Sequence, residues 1–170
     1  MFEKGFLQDV RHNLWECFFI THSLRKDLPM KLTTIIPVHN AEKYITATLD
    51  SVLQQDLGNP EELEVICVDD ASTDASVALI KNYQQKDSRI RLFLNEKTRF
   101  AGACRNKGIE EAHGDYLHFL DADDLVEKGA YQKYLSIAEQ ADADMVKGCA
   151  VCFDNETGEL SDTPLFALSD

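Results

Sequence analysis

No apolar run in this 170-residue chain approaches the ~20 residues that a helix needs to cross a bilayer. Cations are also scarce. Seventeen Lys and Arg stand against 30 Asp and Glu, a net charge of -13 and a pI near 4.7. Such a surface repels a phosphate backbone, so nucleic acid is excluded as a partner, and a strongly anionic membrane face is disfavoured. The opening "MFEKGFLQDV" lacks the basic start and apolar core of a secretion signal, so the expected location is cytoplasmic. Five cysteines, an odd number, fit reduced thiols and not a disulfide framework. One pair, Cys149 and Cys152, has redox or zinc spacing, but it falls in "MVKGCAVCF", which reads as a strand. Residues three apart on a strand face opposite ways and suit neither task. Two phosphate-binding signatures are missing as well. No G-x-G-x-x-G follows the first strand pattern, and no G-x-x-x-x-G-K-[ST] occurs anywhere. An aspartate phosphoryl-transfer motif would need Thr where Leu125 stands.

What is present is an ordinary globular composition, 44% apolar and 28% charged, and a length that fits one domain with a real core. In residues 1–31, Phe2, Phe6, Leu7, Val10, Leu14, Phe18 and Phe19 recur at helical spacing. They predict a helical extension that docks on the domain or a protein partner. A membrane surface is the alternative, disfavoured by the few cations present, so any membrane association is expected to be peripheral. Pro29 ends the segment.

From residue 32 to 153 strands and helices alternate. "LTTIIPV", "LEVICVD", "IRLFLN" and "YLHFLD" read as buried strands, and "DMVKGCAVCF" as a fifth. Between them, Ile45, Leu49, Val52 and Leu53 share one helical face after a cap at Asn40. Val77, Ile80 and Tyr83 do the same after a cap at Thr73. A third helix covers about 101–113, with Gly114 as its C-terminal stop, and Tyr131, Leu135 and Ala138 mark a fourth. The pattern predicts an α/β domain, a mainly parallel sheet with helices on both faces. Residues 154–170 are polar and turn-rich and read as loop.

Ligands of such sheets bind beyond the carboxyl ends of the strands. "PVHNAE", "VDDAS" and "LDADD" all fall at that edge. Asp121 and Asp123, two apart on an extended segment, can face one point and suit a hard cation, Mg2+ or Mn2+, that bridges to a diphosphate. The alternative is a solvated acidic turn capping a helix that begins near Lys128. Asp69 and Asp70 form a second pair, able to accept hydrogen bonds from a base or ribose edge or to cap the following helix.

"TTIIPVHNAEKYITATLDSVLQQ", "EVICVDDASTDAS" and "AGACRNKGIEEAHGDYLHFLDADD" resemble, in order and spacing, the family 2 glycosyltransferases of the Rossmann-like GT-A fold. The resemblance implies inverting, metal-dependent transfer of a sugar from a nucleotide-sugar donor, commonly a UDP-sugar, to a glycan, lipid-linked or protein acceptor. It implies that Pro37, Val38, His39, Asn40 and Glu42 line the nucleotide pocket. It has Asp70 hydrogen-bond the uracil, with Asp69 close by, and places Gly102 and Arg105 near the donor. It implies that Asp121, Ala122 and Asp123 form the D-x-D, with Asp123 the more direct metal ligand, Asp121 the second, and Asp124 in support. Position 39 is often Tyr in the family and is His here, a smaller stacking surface. The family's catalytic base would lie beyond Asp170, which keeps a non-catalytic nucleotide-sugar-binding module or fragment as the alternative.

Overall fold

In the computed structural model, residues 31–148 are described in full. The backbones of Cys17–Ile20, Val151–Phe153 and Leu160–Pro164 are described as well. The strands are β1 (Cys17–Ile20), β2 (Leu32–Val38), β3 (Leu63–Asp69), β4 (Ile90–Leu94), β5 (Tyr116–Phe119), β6 (Met145–Lys147), β7 (Val151–Phe153) and β8 (Leu160–Pro164). The helices are α1 (Ile45–Leu53), α2 (Ser76–Gln84), α3 (Phe100–Glu111) and α4 (Ala130–Ala141). One sheet runs β4-β3-β2-β5-β1-β6, and β7 and β8 form a separate antiparallel pair. β2 pairs in parallel with β3 and β5, and β3 with β4. The expected mainly parallel α/β sheet is therefore present.

Helices cover both of its faces because the central strands are apolar on both. Ile36, Val38, Val65 and Cys67 pack with Ile45, Leu49 and Val52 of α1, Ile80 of α2, and Tyr131, Leu135 and Ala138 of α4. On the other face Ile35, Ile66, Val68 and Leu117 pack with Cys104 of α3. A Cβ added at Gly108 would collide with Ile35, so that glycine sets how closely α3 lies on β2.

The helix expected over residues 1–31 does not describe Cys17–Ile20. These residues form β1, antiparallel to both β5 and β6. "CFFI" is aromatic and β-branched, and the ladder partners on both sides outweigh its helical spacing. The remainder of 1–31 lies outside the described residues. The single strand expected over 144–153 is split into β6 and β7, and the tail read as loop contains β8. Cys149 lies outside the described residues.

Three expected caps differ too. Asn40 is left-handed, with φ 51°, and Tyr44 holds the N-cap position of α1. Ala75 and not Thr73 precedes α2, whose first amides are met by Glu42 and Asp74. Gly114 does not end α3, whose C-cap is Ala112. It is small because a Cβ there would lie 2.6 Å from the Thr33 nitrogen.

The chain order creates a crevice. From β2 it steps outward to β3 and β4, then returns to β5 on the other side of β2, so the two directions part between β2 and β5. Pro37 sits at that parting. The Ile35 carbonyl accepts Leu120 N–H on the β5 side, and strand alternation turns the Pro37 nitrogen the same way. A residue with no N–H stands where pairing to β5 has ended at Ile35.

Candidate functional site

A cleft of about 360 Å³ opens at the carboxyl edge of the sheet. It collects Pro37 and Val38 at the end of β2, His39 and Asn40 just beyond it, Asp70 after β3, Arg105 on α3, and Asp121, Ala122 and Asp123 after β5. These nine residues are all expected from the sequence. Three others fall outside the lining. Glu42 accepts the Ala75 N–H at 2.9 Å, so it serves the start of α2. Gly102 is exposed, with open space where a side chain would project. Asp69 is buried behind the wall. Its Oδ2 accepts Ser72 N–H at 3.1 Å, while its Oδ1 has no hydrogen-bond partner. Ala41, Tyr44 and Cys104 also line the cleft and were not expected there. Tyr44 carries a signal in the sequence, an aromatic four residues beyond Asn40. Its helical neighbours hide it, because a residue at a helix start reads equally well as core. A larger cleft, about 800 Å³, lies at the opposite edge among Lys31, Gln54, Lys86 and Arg89. It brings together none of these motifs, and its Arg89 is committed to Asp87.

The first two loops are knitted together. Asn40 N–H donates to Ser72 Oγ, and Asn40 Oδ1 accepts Thr73 N–H at 2.8 Å. Ala41 N–H donates to Ser76 Oγ and Glu42 N–H to Asp74 Oδ2. His39 is fixed on this frame. Its Nδ1 donates to the Asp70 carbonyl at 2.8 Å, and its Nε2 accepts from the Asn40 amide at 3.3 Å. One neutral tautomer satisfies both contacts, so the exposed ring is held at a set angle beside the cleft.

Asp70 organises the third loop. Its Oδ1 accepts Asn95 Nδ2 at 3.0 Å and Arg99 N–H at 2.7 Å, and its Oδ2 accepts Phe100 N–H at 2.8 Å. Burial opposes its ionisation, yet these donors outweigh burial and hold the carboxyl below its usual range. About one acceptor position remains for a ligand donor, since a carboxylate offers roughly four. Phe100 pays for this arrangement with φ 66°, while its ring is 77% exposed. Asn40, Ala71 and Phe100, three left-handed residues that are not glycine, thus stand after β2, β3 and β4 around one opening.

On the β5 side, Arg105 Nη2 donates to Asp121 Oδ1 at 2.7 Å. Asp123 is exposed and makes no hydrogen bond or ion pair among the described residues. Asp124 N–H donates to the Asp121 carbonyl, closing the turn. The expected pair of metal ligands is thus unequal, because Asp121 is committed to the guanidinium. Among the described residues no group of three His, Cys, Asp or Glu could enclose a metal. One exposed carboxylate at the mouth of a cleft still fits Mg2+ or Mn2+, which take one or two protein carboxylates and complete their shell with water and substrate phosphate. The cleft carries three carboxylates against one guanidinium, a balance of charge that disfavours an unaccompanied diphosphate.

The burial of Cys104 pushes its thiol up to about 11, so it is a protonated wall residue and not a nucleophile.

Comparison with known proteins points to one family. The profile of glycosyl transferase family 2 matches residues 33–166. An uncharacterized glycosyltransferase of Haemophilus influenzae is 36% identical over 129 residues, which is 76% of this chain and 50% of that protein. The poly(ribitol-phosphate) beta-glucosyltransferase of Bacillus spizizenii is 34% identical over 122 residues, 70% of this chain and 19% of that protein. Among solved structures, S. aureus TarS 1-349 in complex with UDP superimposes with a TM-score of 0.63 at 32% identity, over 68% of this chain and 34% of that one. The mannosyltransferase of Pyrobaculum calidifontis in complex with GDP-Man and Mn2+ gives 0.59 at 26% identity, over 69% and 34%. The chain spans half or less of the length of these relatives.

Proposed function

The chain belongs to glycosyl transferase family 2, and from that premise we propose that it binds a nucleotide-sugar, preferably a UDP-sugar, for metal-dependent, inverting transfer to an acceptor. The observation that carries the reading is the cleft between β2 and β5, where three loops place His39, Asp70 and Asp123, and α3 places Arg105, around one space. The TarS complex with UDP supports the choice of base, and the mannosyltransferase complex with Mn2+ supports the choice of cation.

In this reading the base enters beside the fixed His39 ring and Tyr44, and a ring N–H meets the remaining acceptor capacity of Asp70. Asp69 stays behind the wall, where its Oδ2 accepts the Ser72 N–H of the loop that carries Asp70. Arg105 holds Asp121 and supplies positive charge toward the diphosphate. Asp123 would hold the Mg2+ or Mn2+, which when bound would offset charge on the departing diphosphate. In-line attack by an acceptor hydroxyl calls for a carboxylate base. The family resemblance assigns that base to a segment C-terminal to the residues of this cleft. A cytoplasmic site of action, where nucleotide-sugars are met, belongs to the same proposal.

Calorimetric titration of the chain with UDP, GDP and ADP, each with Mn2+ and with EDTA, tests the reading. UDP should bind tightest, and only weakly in EDTA. Equal affinity for all three nucleotides, or indifference to EDTA, would sink it.

A further inference from the structure

The acidic loop between β5 and α4 has no regular structure of its own, and three carboxylates in four residues push it apart. Something must fix its backbone. The fixing groups come from α1 and from Gln55, two residues beyond its end. Thr48 Oγ1 donates to the Ala122 carbonyl at 2.8 Å, the peptide between Asp121 and Asp123. Ser51 Oγ accepts Val126 N–H at 3.1 Å. Gln55 Nε2 donates to the Glu127 carbonyl at 3.0 Å, and its Oε1 accepts Tyr131 N–H at 3.4 Å. All three side chains are buried, at 0%, 5% and 4% exposure. Buried polar side chains beside an apolar core are costly unless matched, and these are matched to backbone groups of the loop at Ala122, Val126 and Glu127 and of the first turn of α4 at Tyr131. They also brace one another, since Ser51 Oγ donates to the Thr48 carbonyl and Gln55 Nε2 to the Ser51 carbonyl.

We propose that Thr48, Ser51 and Gln55 form a positioning ladder that sets where the acidic loop carries Asp121 and Asp123. The ladder acts through backbone groups and touches no ligand. Its consequence for donor binding rests on the functional reading above; its effect on the loop does not.

Two measurements on the full chain separate these. Thr48→Val removes the hydroxyl and leaves the buried Ala122 carbonyl unmatched, and Ser51→Ala does the same to Val126 N–H. Amide hydrogen exchange without ligand should quicken on the order of tenfold across residues 122–131 in both variants, with β2 and β3 unchanged. Mn2+-dependent UDP affinity should fall by about 10- to 100-fold, the usual effect of losing a group that orients a metal ligand. Thr48→Ser should restore both. If Thr48→Val does not fold, Ser51→Ala carries the same comparison. Unchanged exchange in the loop, or exchange quickened equally throughout the sheet, overturns the ladder. Quickened loop exchange with full Mn2+-dependent UDP affinity overturns its positioning role. A wild-type chain that binds no nucleotide defeats the functional reading instead, and the exchange comparison still decides the ladder.

Discussion

Arg105 donates through Nη2 to Asp121 Oδ1 at 2.7 Å, and this contact divides the labour of the acidic motif. With side chains 29% and 19% exposed, the pair is partly shielded from water and screened less than a surface bridge. Asp121 is thereby the anchored carboxylate and Asp123 the available one.

Asp123→Ala should therefore abolish the Mn2+-dependent part of UDP binding and leave the ligand-free melting temperature level or slightly raised, because one of three repelling charges is gone. Asp121→Asn should instead lower the ligand-free melting temperature, because it weakens the Arg105 contact. Thermal melts with and without Mn2+ and UDP distinguish them. A ligand-free loss in the Asp123 variant, with its full ligand-induced shift kept, would mean that the aspartate is only part of a turn.

Asp70→Asn turns one acceptor oxygen into a donor facing backbone N–H groups. It should cost about 1–3 kcal/mol by chemical denaturation. Because the native carboxyl titrates below its unfolded value, Asp70 stabilises the fold above that unfolded value. The contribution is lost as pH falls through the native one. The variant should lack this part of the acid limb, which a denaturation series from neutral pH to pH 3 would show.

Phe100 offers a separate test of strain. At φ 66° glycine is at ease and a β-branched residue is not. Little burial is lost at a ring 77% exposed. Phe100→Gly should hold or gain up to about 1 kcal/mol, since relief of strain offsets the greater freedom of the unfolded glycine. Phe100→Val should lose stability. Equal effects from the two would show that the backbone there is not strained.

The burial of His118 predicts a loss of stability in mild acid. It is buried in β5, with Nδ1 2.9 Å from Tyr131 Oη, whose hydroxyl also meets Thr34 Oγ1. Burial pushes its imidazole down to about 3, so the native state stays neutral where the unfolded chain, near 6.5, takes a proton. The unfolded state then binds more protons below about pH 6.5, and stability falls with falling pH by about 1.4 kcal/mol per unit until the native value is reached. His118→Gln should flatten that slope between pH 6.5 and 4.5, above the range where most carboxylates titrate. An unchanged slope would assign the acid response elsewhere.

The sequence alone determined the alternation of strands and helices and the edge where the motifs gather. Both follow from local rules: β-branched apolar runs make buried strands, and connection lengths make them parallel. It therefore named nine of the residues that line the cleft. What each does there was decided by tertiary contacts. Glu42 and Asp74 serve the start of α2, because the loops after β2 and β3 come to lie side by side. Asp70 gathers the loop after β4, and Arg105 reaches Asp121 across 16 positions of chain. Cys17–Ile20 became a strand because two partner edges were available in space, which helical periodicity could not register. Thr48, Ser51 and Gln55 belong to no motif, since nothing in their neighbourhood announces a loop more than 70 positions away. Hydrogen bonds are short and directional, so which group satisfies which is fixed only once the backbone has brought distant segments within about 3 Å.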